Sequence, residues 1–209
     1  MKVAFLLLTL LTASSVVLHA DPAADAKALA AKALAAKAIE AAGGEAKLLR
    51  VFRMKERFNS GPTLADPAKA GTRESILEAP QYWWLNGKDR DGEPAKFDVW
   101  AWTLVALTDV KTAMETIPGV AENGKTTLAL RLTGSIDPAM DLHFDPETHR
   151  LVRIDWSNDI YRFSEWRTHD GFGYQAKTVM HKRKTNEPWF HHEILEIERL
   201  TVAPASLPR

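Results

Sequence analysis

The chain has no cysteine. Disulfide scaffolds, zinc–thiolate sites and thiol catalysis are therefore excluded, as is lipid attachment through an N-terminal cysteine. Neither sign of charge is in excess: 27 lysines and arginines stand against 27 aspartates and glutamates, so no overall field draws in nucleic acid or anionic headgroups. GxSxG, HExxH and phosphate-loop patterns are also missing, which removes the most readable catalytic signatures. No uninterrupted apolar run reaches the ~20 residues that a membrane span requires.

What is present begins with export. Met1 and Lys2 give a positive start, Val3 to Leu11 is apolar apart from Thr9, and Thr12 to Ala20 ends in a small residue. This pattern predicts a secretory signal over residues 1–20, cleaved after Ala20. Thr12, Ser14, Ser15 and His19 break the run and argue against a retained anchor. The expected location is periplasmic or secreted, with no integral membrane segment once the signal is removed. The remainder is long enough for one domain with its own core. The expected division is an Ala/Lys-rich helix over 21–44, a single sheet domain over 45–203 and a tail over 204–209.

The helix is predicted from Asp25 to Ala42, because alanine, leucine and lysine favour helix and Gly43-Gly44 stops it. Its lysines, Lys27, Lys32 and Lys37, recur every five residues and so walk around the axis without forming a broad polar face. A stripe of Ala28, Ala31, Ala35, Ala38 and Ala42 can still lie on a sheet, with lysine stems draped over apolar surface. Two arrangements follow: a solvated, partly detached helix, or a helical lid.

Beyond it, apolar and polar residues alternate with period two. Val51 to Phe58, Thr72 to Glu78, Tyr82 to Asn86, Thr112 to Ile117, Thr126 to Thr133 and Met140 to Phe144 read as strands, with Glu56 interrupting the apolar side of the first. Asn59 to Gly71 and Asp89 to Pro94 read as exposed connections, and Pro80 disfavours a place inside a ladder. Phe97 to Thr108 has helical spacing at Phe97, Trp100, Leu104 and Leu107 and is predicted as a short helix. From Leu142 onward, a hairpin to Ile154 and the stretches Ile160 to Arg183 and Phe190 to Leu200 form an antiparallel meander.

An N-terminal helix ending in Ala-Ala-Gly-Gly-Glu, a strand pair around Pro80, the LHFDPETHRLVRI hairpin and the Asp170-Gly171 turn resemble the LolA/LolB-like superfamily of periplasmic lipoprotein carriers and their exported relatives. The resemblance spans most of the mature chain and contains no catalytic signature. It implies an α+β fold: a strongly curved antiparallel β-sheet, an unclosed half-barrel, whose concave face is covered by the N-terminal Ala-rich helix and a short helix. It further implies that the concave face holds a lipid or lipoprotein acyl chain. A cavity-facing aromatic of the carriers corresponds to Trp83, after Pro80. The arginine that stands immediately before that proline in the carriers, and helps latch the lid, is Ala79 here.

The apolar rows of the strands supply the other candidate cavity residues: Leu128, Leu130, Leu142, Phe144, Ile154 and Trp156. Large aromatics suit either a core or an apolar pocket, and the adjacent Trp83 and Trp84 must point to opposite faces of a strand. His191 and His192 must likewise face opposite sides, unless a bulge re-aims one; a change of apolar parity between Ile194 and Ile197 hints at such a bulge. These spacings specify no metal site and no cofactor. Asp145 and Glu147 sit where an Asp-Pro turn uses its carboxylate for backbone bonds. The expected function is non-enzymatic binding of an apolar ligand. The alternatives are a sensing or structural module for an envelope protein partner, and an envelope hydrolase using Asp141, Asp155 and His192.

Overall fold

A computed structural model describes residues 22–61, 70–90 and 96–207, with side chains from residue 26 onward. The signal and its cleavage point lie outside the described residues, as do 62–69 and 91–95 of the two expected connections and the last two residues of the tail.

The polypeptide enters through helix α1 (Pro22–Ala41) and a single 3-10 turn at Glu45–Lys47. Four strands follow: β1 (Val51–Ser60), β2 (Gly71–Glu78), β3 (Tyr82–Leu85) and β4 (Lys88–Asp89). Next come the short helix α2 (Phe97–Trp102) and a 3-10 turn at Val105–Thr108. The rest is extended: β5 (Ala113–Ile117), the small hairpin β6 (Ala121–Glu122) and β7 (Lys125–Thr126), β8 (Leu128–Thr133), β9 (Met140–Phe144), β10 (Leu151–Trp156), β11 (Asp159–His169), β12 (Phe172–Lys182) and β13 (Pro188–Leu200). Eleven of these strands form one antiparallel sheet in the order β4-β3-β2-β1-β13-β12-β11-β10-β9-β8-β5, whose two ends do not meet.

Register decides what lies inside. Leu130 pairs with Leu142, Leu142 with Ile154, Ile154 with Tyr161, Tyr161 with Met180, and Met180 with Phe190, one unbroken inward row across six strands. Side chains alternate faces with period two, so a row aligned this way commits its neighbours on both sides. On the opposite face of β1 and β13, Arg53, Lys55 and Arg57 pair with Glu198, Glu196 and Glu193. Such exposed pairs add little stability, but a one-residue slip would break all three and set a cation opposite Ile197.

At one end the inner face is packed shut. Ala31, Leu34, Ala35 and Ala38 of α1, with Ala42 just past its end, are buried in the same core as Leu130, Leu132, Leu142 and Phe144, and α1 lies against β5 and β8. The helix is thus docked, and its alanines are the reason: with no side chain beyond Cβ, the backbone approaches the sheet closely. Ala28, the first residue of the expected stripe, is exposed. Each fully buried leucine beneath the helix contributes roughly 1.5–3 kcal/mol relative to its exposed state. The expected helix over 97–108 is observed as two pieces, α2 and the 3-10 turn, with Leu104 in a left-handed conformation between them. Pro80 sits in the turn between β2 and β3, where no ladder bond is lost.

Trp83 faces the concave side and Trp84 the convex side, where it is fully buried with Val51 and Ala203, and Tyr82 stacks on it. The end of α1 is tied to the far hairpin: Gly173 N–H donates to the Ala42 carbonyl at 2.8 Å. Gly43 has φ +108°, and a Cβ there would fall 1.9 Å from the carbonyl oxygen of Gly171. Both the left-handed backbone and the close approach require glycine. Gly43→Ala is therefore expected to destabilise the protein by about 2 kcal/mol or more, read as a lower urea midpoint with unchanged m-value.

Candidate ligand cavity

Beyond α2 the inner row is no longer covered by helix, and a cavity of about 400 Å³ opens between α2 and the strands β1, β2, β3, β11, β12 and β13. Its walls are apolar: Met54, Trp83, Val99, Trp102, Trp156 and Met180 among them. Its floor is not. Glu56, Arg73, Ser75 and His192 meet there, on neighbouring strands.

Glu56 is 1% exposed, and its carboxylate is saturated. Arg73 donates to both oxygens, Nε to Oε2 and Nη2 to Oε1, each at 3.1 Å. The Ser75 hydroxyl donates to Oε2 at 2.6 Å, and His192 Nε2 bonds Oε1. Ser75 Oγ in turn accepts the Trp83 indole N–H at 3.2 Å. Burial alone pushes the Glu56 carboxyl up; the hydrogen bond and charge of His192, followed by Arg73, more than reverse this and hold it at about 2. The Arg73 guanidinium also lies over the rings of Phe58, Trp83 and Phe190, at 5.1, 5.9 and 5.9 Å from their centroids. The carboxylate stands between the serine and the histidine. Ser75 and His192 each spend their hydrogen bond on Glu56, and among the described residues they share none with each other, which is the bond a nucleophile–base pair is built on.

Of the residues singled out by sequence, Trp83 and Trp156 line the cavity. Leu130, Leu142, Phe144 and Ile154 lie in the sealed core, and Leu128 is 37% exposed. Glu56 and Arg73 were not singled out; the readable sign of them was a carboxylate on the apolar side of β1, opposite an arginine on β2. His191 and His192 do face opposite sides, and a bulge is present: the β1 partner jumps from Glu196 to Ile194, which leaves Leu195 unpaired. The bulge lies beyond the histidines and does not bring the two to one face.

The candidate carboxylates of a hydrolase are on the convex face. Arg131 clasps Asp141 through two bonds of 2.7 and 2.9 Å, and Arg153 holds Asp155. Glu122, from the small hairpin β6–β7, bridges Arg153 and Arg162 at 3.1 Å each. Asp145 Oδ1 accepts the backbone N–H groups of Thr148 and Glu147 and the Thr148 hydroxyl, which is turn chemistry, and the Thr148 bond leads in holding its carboxyl at about 2. Among the described residues, no group of three or more His, Asp or Glu could hold a metal ion.

Removing one partner of a buried ion pair strands the other. Arg73→Met is expected to cost about 3–5 kcal/mol in urea unfolding, and the Arg73→Met/Glu56→Gln double variant to recover part of it. Because the Glu56 carboxyl is depressed from 4.5 to about 2, its contribution is complete above about pH 4.5 and is lost as pH falls toward 2. In Glu56→Gln the decline of stability over that window is expected to flatten; the slope from Asp145, depressed over a similar range, remains.

No family model and no curated protein matches the sequence. Solved structures do match its shape. A proposed outer membrane lipoprotein-sorting protein domain from Vibrio parahaemolyticus aligns with TM-score 0.54 at 10% identity, over 85% of this chain and 95% of that one. A LolA superfamily protein from Nitrosomonas europaea aligns with TM-score 0.53 at 9% identity, over 83% and 94%. A DUF1329 family protein from Desulfovibrio piger gives 0.53 at 9%, over 85% and 95%. The open sheet, its N-terminal helix and its short covering helix together are the LolA-like fold.

Proposed function

We propose that the protein is a non-enzymatic, exported binder of an apolar ligand, a lipid or lipoprotein acyl chain, held between the concave sheet and α2. The observation that carries this reading is the cavity itself, about 400 Å³ of space walled by Trp83, Trp102, Trp156 and Met180. Cavities of a few hundred Å³ with mostly apolar walls and a few polar groups are the usual form of small-molecule sites. A neighbour of the same fold that is named for lipoprotein sorting supports the same class of ligand. A hydrolytic role has no support in the carboxylate geometry, since Asp141 and Asp155 are spent on arginines on the other face. For the alternative, a module that binds a protein partner through the same sheet, α1 offers no detached handle, since it is docked.

Release would differ from that of the carriers. Ala79 stands where they have a latching arginine and packs against the core. The neighbouring Pro80 carbonyl accepts the backbone N–H of Lys96 at 2.9 Å, so α2 is tethered to the β2–β3 turn through main chain.

Native mass spectrometry and lipid extraction of protein purified from the periplasm test the reading, together with quenching by brominated acyl chains. Quenching is expected to fall markedly in Trp83→Phe/Trp156→Phe, and Met180→Trp, which fills the cavity, should abolish uptake of added lipid. A protein that purifies lipid-free and is not quenched by any brominated chain overturns it.

A further inference from the structure

The cavity mouth carries charge that its floor does not consume. Glu56 accepts four hydrogen bonds from Arg73, Ser75 and His192, so both of its oxygens are occupied and its charge is spent inside the protein. It has nothing left to offer a cationic ligand. At the rim the balance is different. The Lys96 ammonium lies 3.8 Å from the centroid of the Trp83 ring, and the guanidinium groups of Arg90 and Arg73 lie 5.6 and 5.9 Å from it. Arg73 is already paired with Glu56 and Arg90 has interactions of its own, so the charge left for a ligand at this ring is that of Lys96, for which ring attraction supplies only about 0.5–2 kcal/mol. Asp98 is the one other carboxylate of the lining, and among the described residues Lys96 forms no ion pair with it.

We propose that the cavity takes an amphiphile with one anionic head, a carboxylate or a phosphate. The head is held at the mouth by Lys96, beside Trp83 and the outer edge of Arg73, while the acyl chain runs inward along Trp102, Trp156 and Met180. The inference rests on the apolar-ligand reading above and adds to it the chemistry of the head. A compact ammonium beside an aromatic plane satisfies an anion by a charge-assisted hydrogen bond in a partly dry setting, where such bonds are strongest.

Three probes that share an oleyl or oleoyl chain separate the possibilities: oleate, oleoyl lysophosphatidate and oleyl alcohol, titrated below their aggregation limits and followed by tryptophan fluorescence and native mass spectrometry. At least one of the two anions is expected to bind about tenfold more tightly than the alcohol, the size of one hydrogen bond to a charged group. Lys96→Met should remove that advantage and leave the alcohol unchanged, and Lys96→Arg should restore it. The tighter of the two anions identifies the head as carboxylate or phosphate. Equal affinity of the alcohol and both anions, or equal weakening of all three in Lys96→Met, overturns the anionic head and leaves the apolar cavity standing. Binding of none of the three overturns the apolar cavity as well.

Discussion

An open sheet with one apolar face has to keep that face out of water, and everything else in this structure follows from how it does so. The row from Leu130 to Phe190 cannot be shared between two walls of a closed barrel, because the strands at the two ends of the sheet do not meet. Over β5 and β8 the solution is an alanine-rich helix lying close against the sheet; over the middle it is α2 with its paired tryptophans. Among the described residues, no helix completes the cover over β12, β13 and β1, and the proposed ligand would lie against the apolar walls there.

The ion cluster stands at this same uncovered end. A carboxylate as deeply buried as Glu56 is tolerable only if its partners are complete, and they come from the two strands that flank β1, Arg73 and Ser75 from β2 and His192 from β13. Its positions are cross-strand neighbours, so the cluster also marks the register: a one-residue slip of β2 or β13 would leave the carboxylate unpaired. The cluster thus aligns the strands while its own charges stay spent inside the protein.

Much of this was legible in the residues. The period-two alternation after Leu142 carried the meander, and Gly43-Gly44 marked the helix end. The helical spacing from Phe97 to Leu107 identified covering structure, though not its break at Leu104. Which part of the inner face is open was not legible. Leu142 and Met180 belong to the same row and have the same character, and only the placement of the helices above them distinguishes core from cavity wall. The Glu56 cluster was hidden for a related reason. Within one strand a lone acid on the apolar side looks like a flaw in the pattern, and its meaning depends on an arginine and a histidine on strands 17 and 136 residues away.

The bulge at Leu195 has a consequence for how such a site can change. Toward the carboxyl end of β13, Ile197 faces the core; before the bulge, His192 and Phe190 face the cavity. The extra residue absorbs one step of the alternation, which is why Ile197 and His192 share a face although an odd number of positions separates them. Were the bulge flattened into regular ladder with Leu195 kept, Glu193 and His191 would turn inward in place of His192 while Ile197 stayed where it is. The chemistry of the cavity floor is therefore fixed by an irregularity of the strand that lies outside the floor itself.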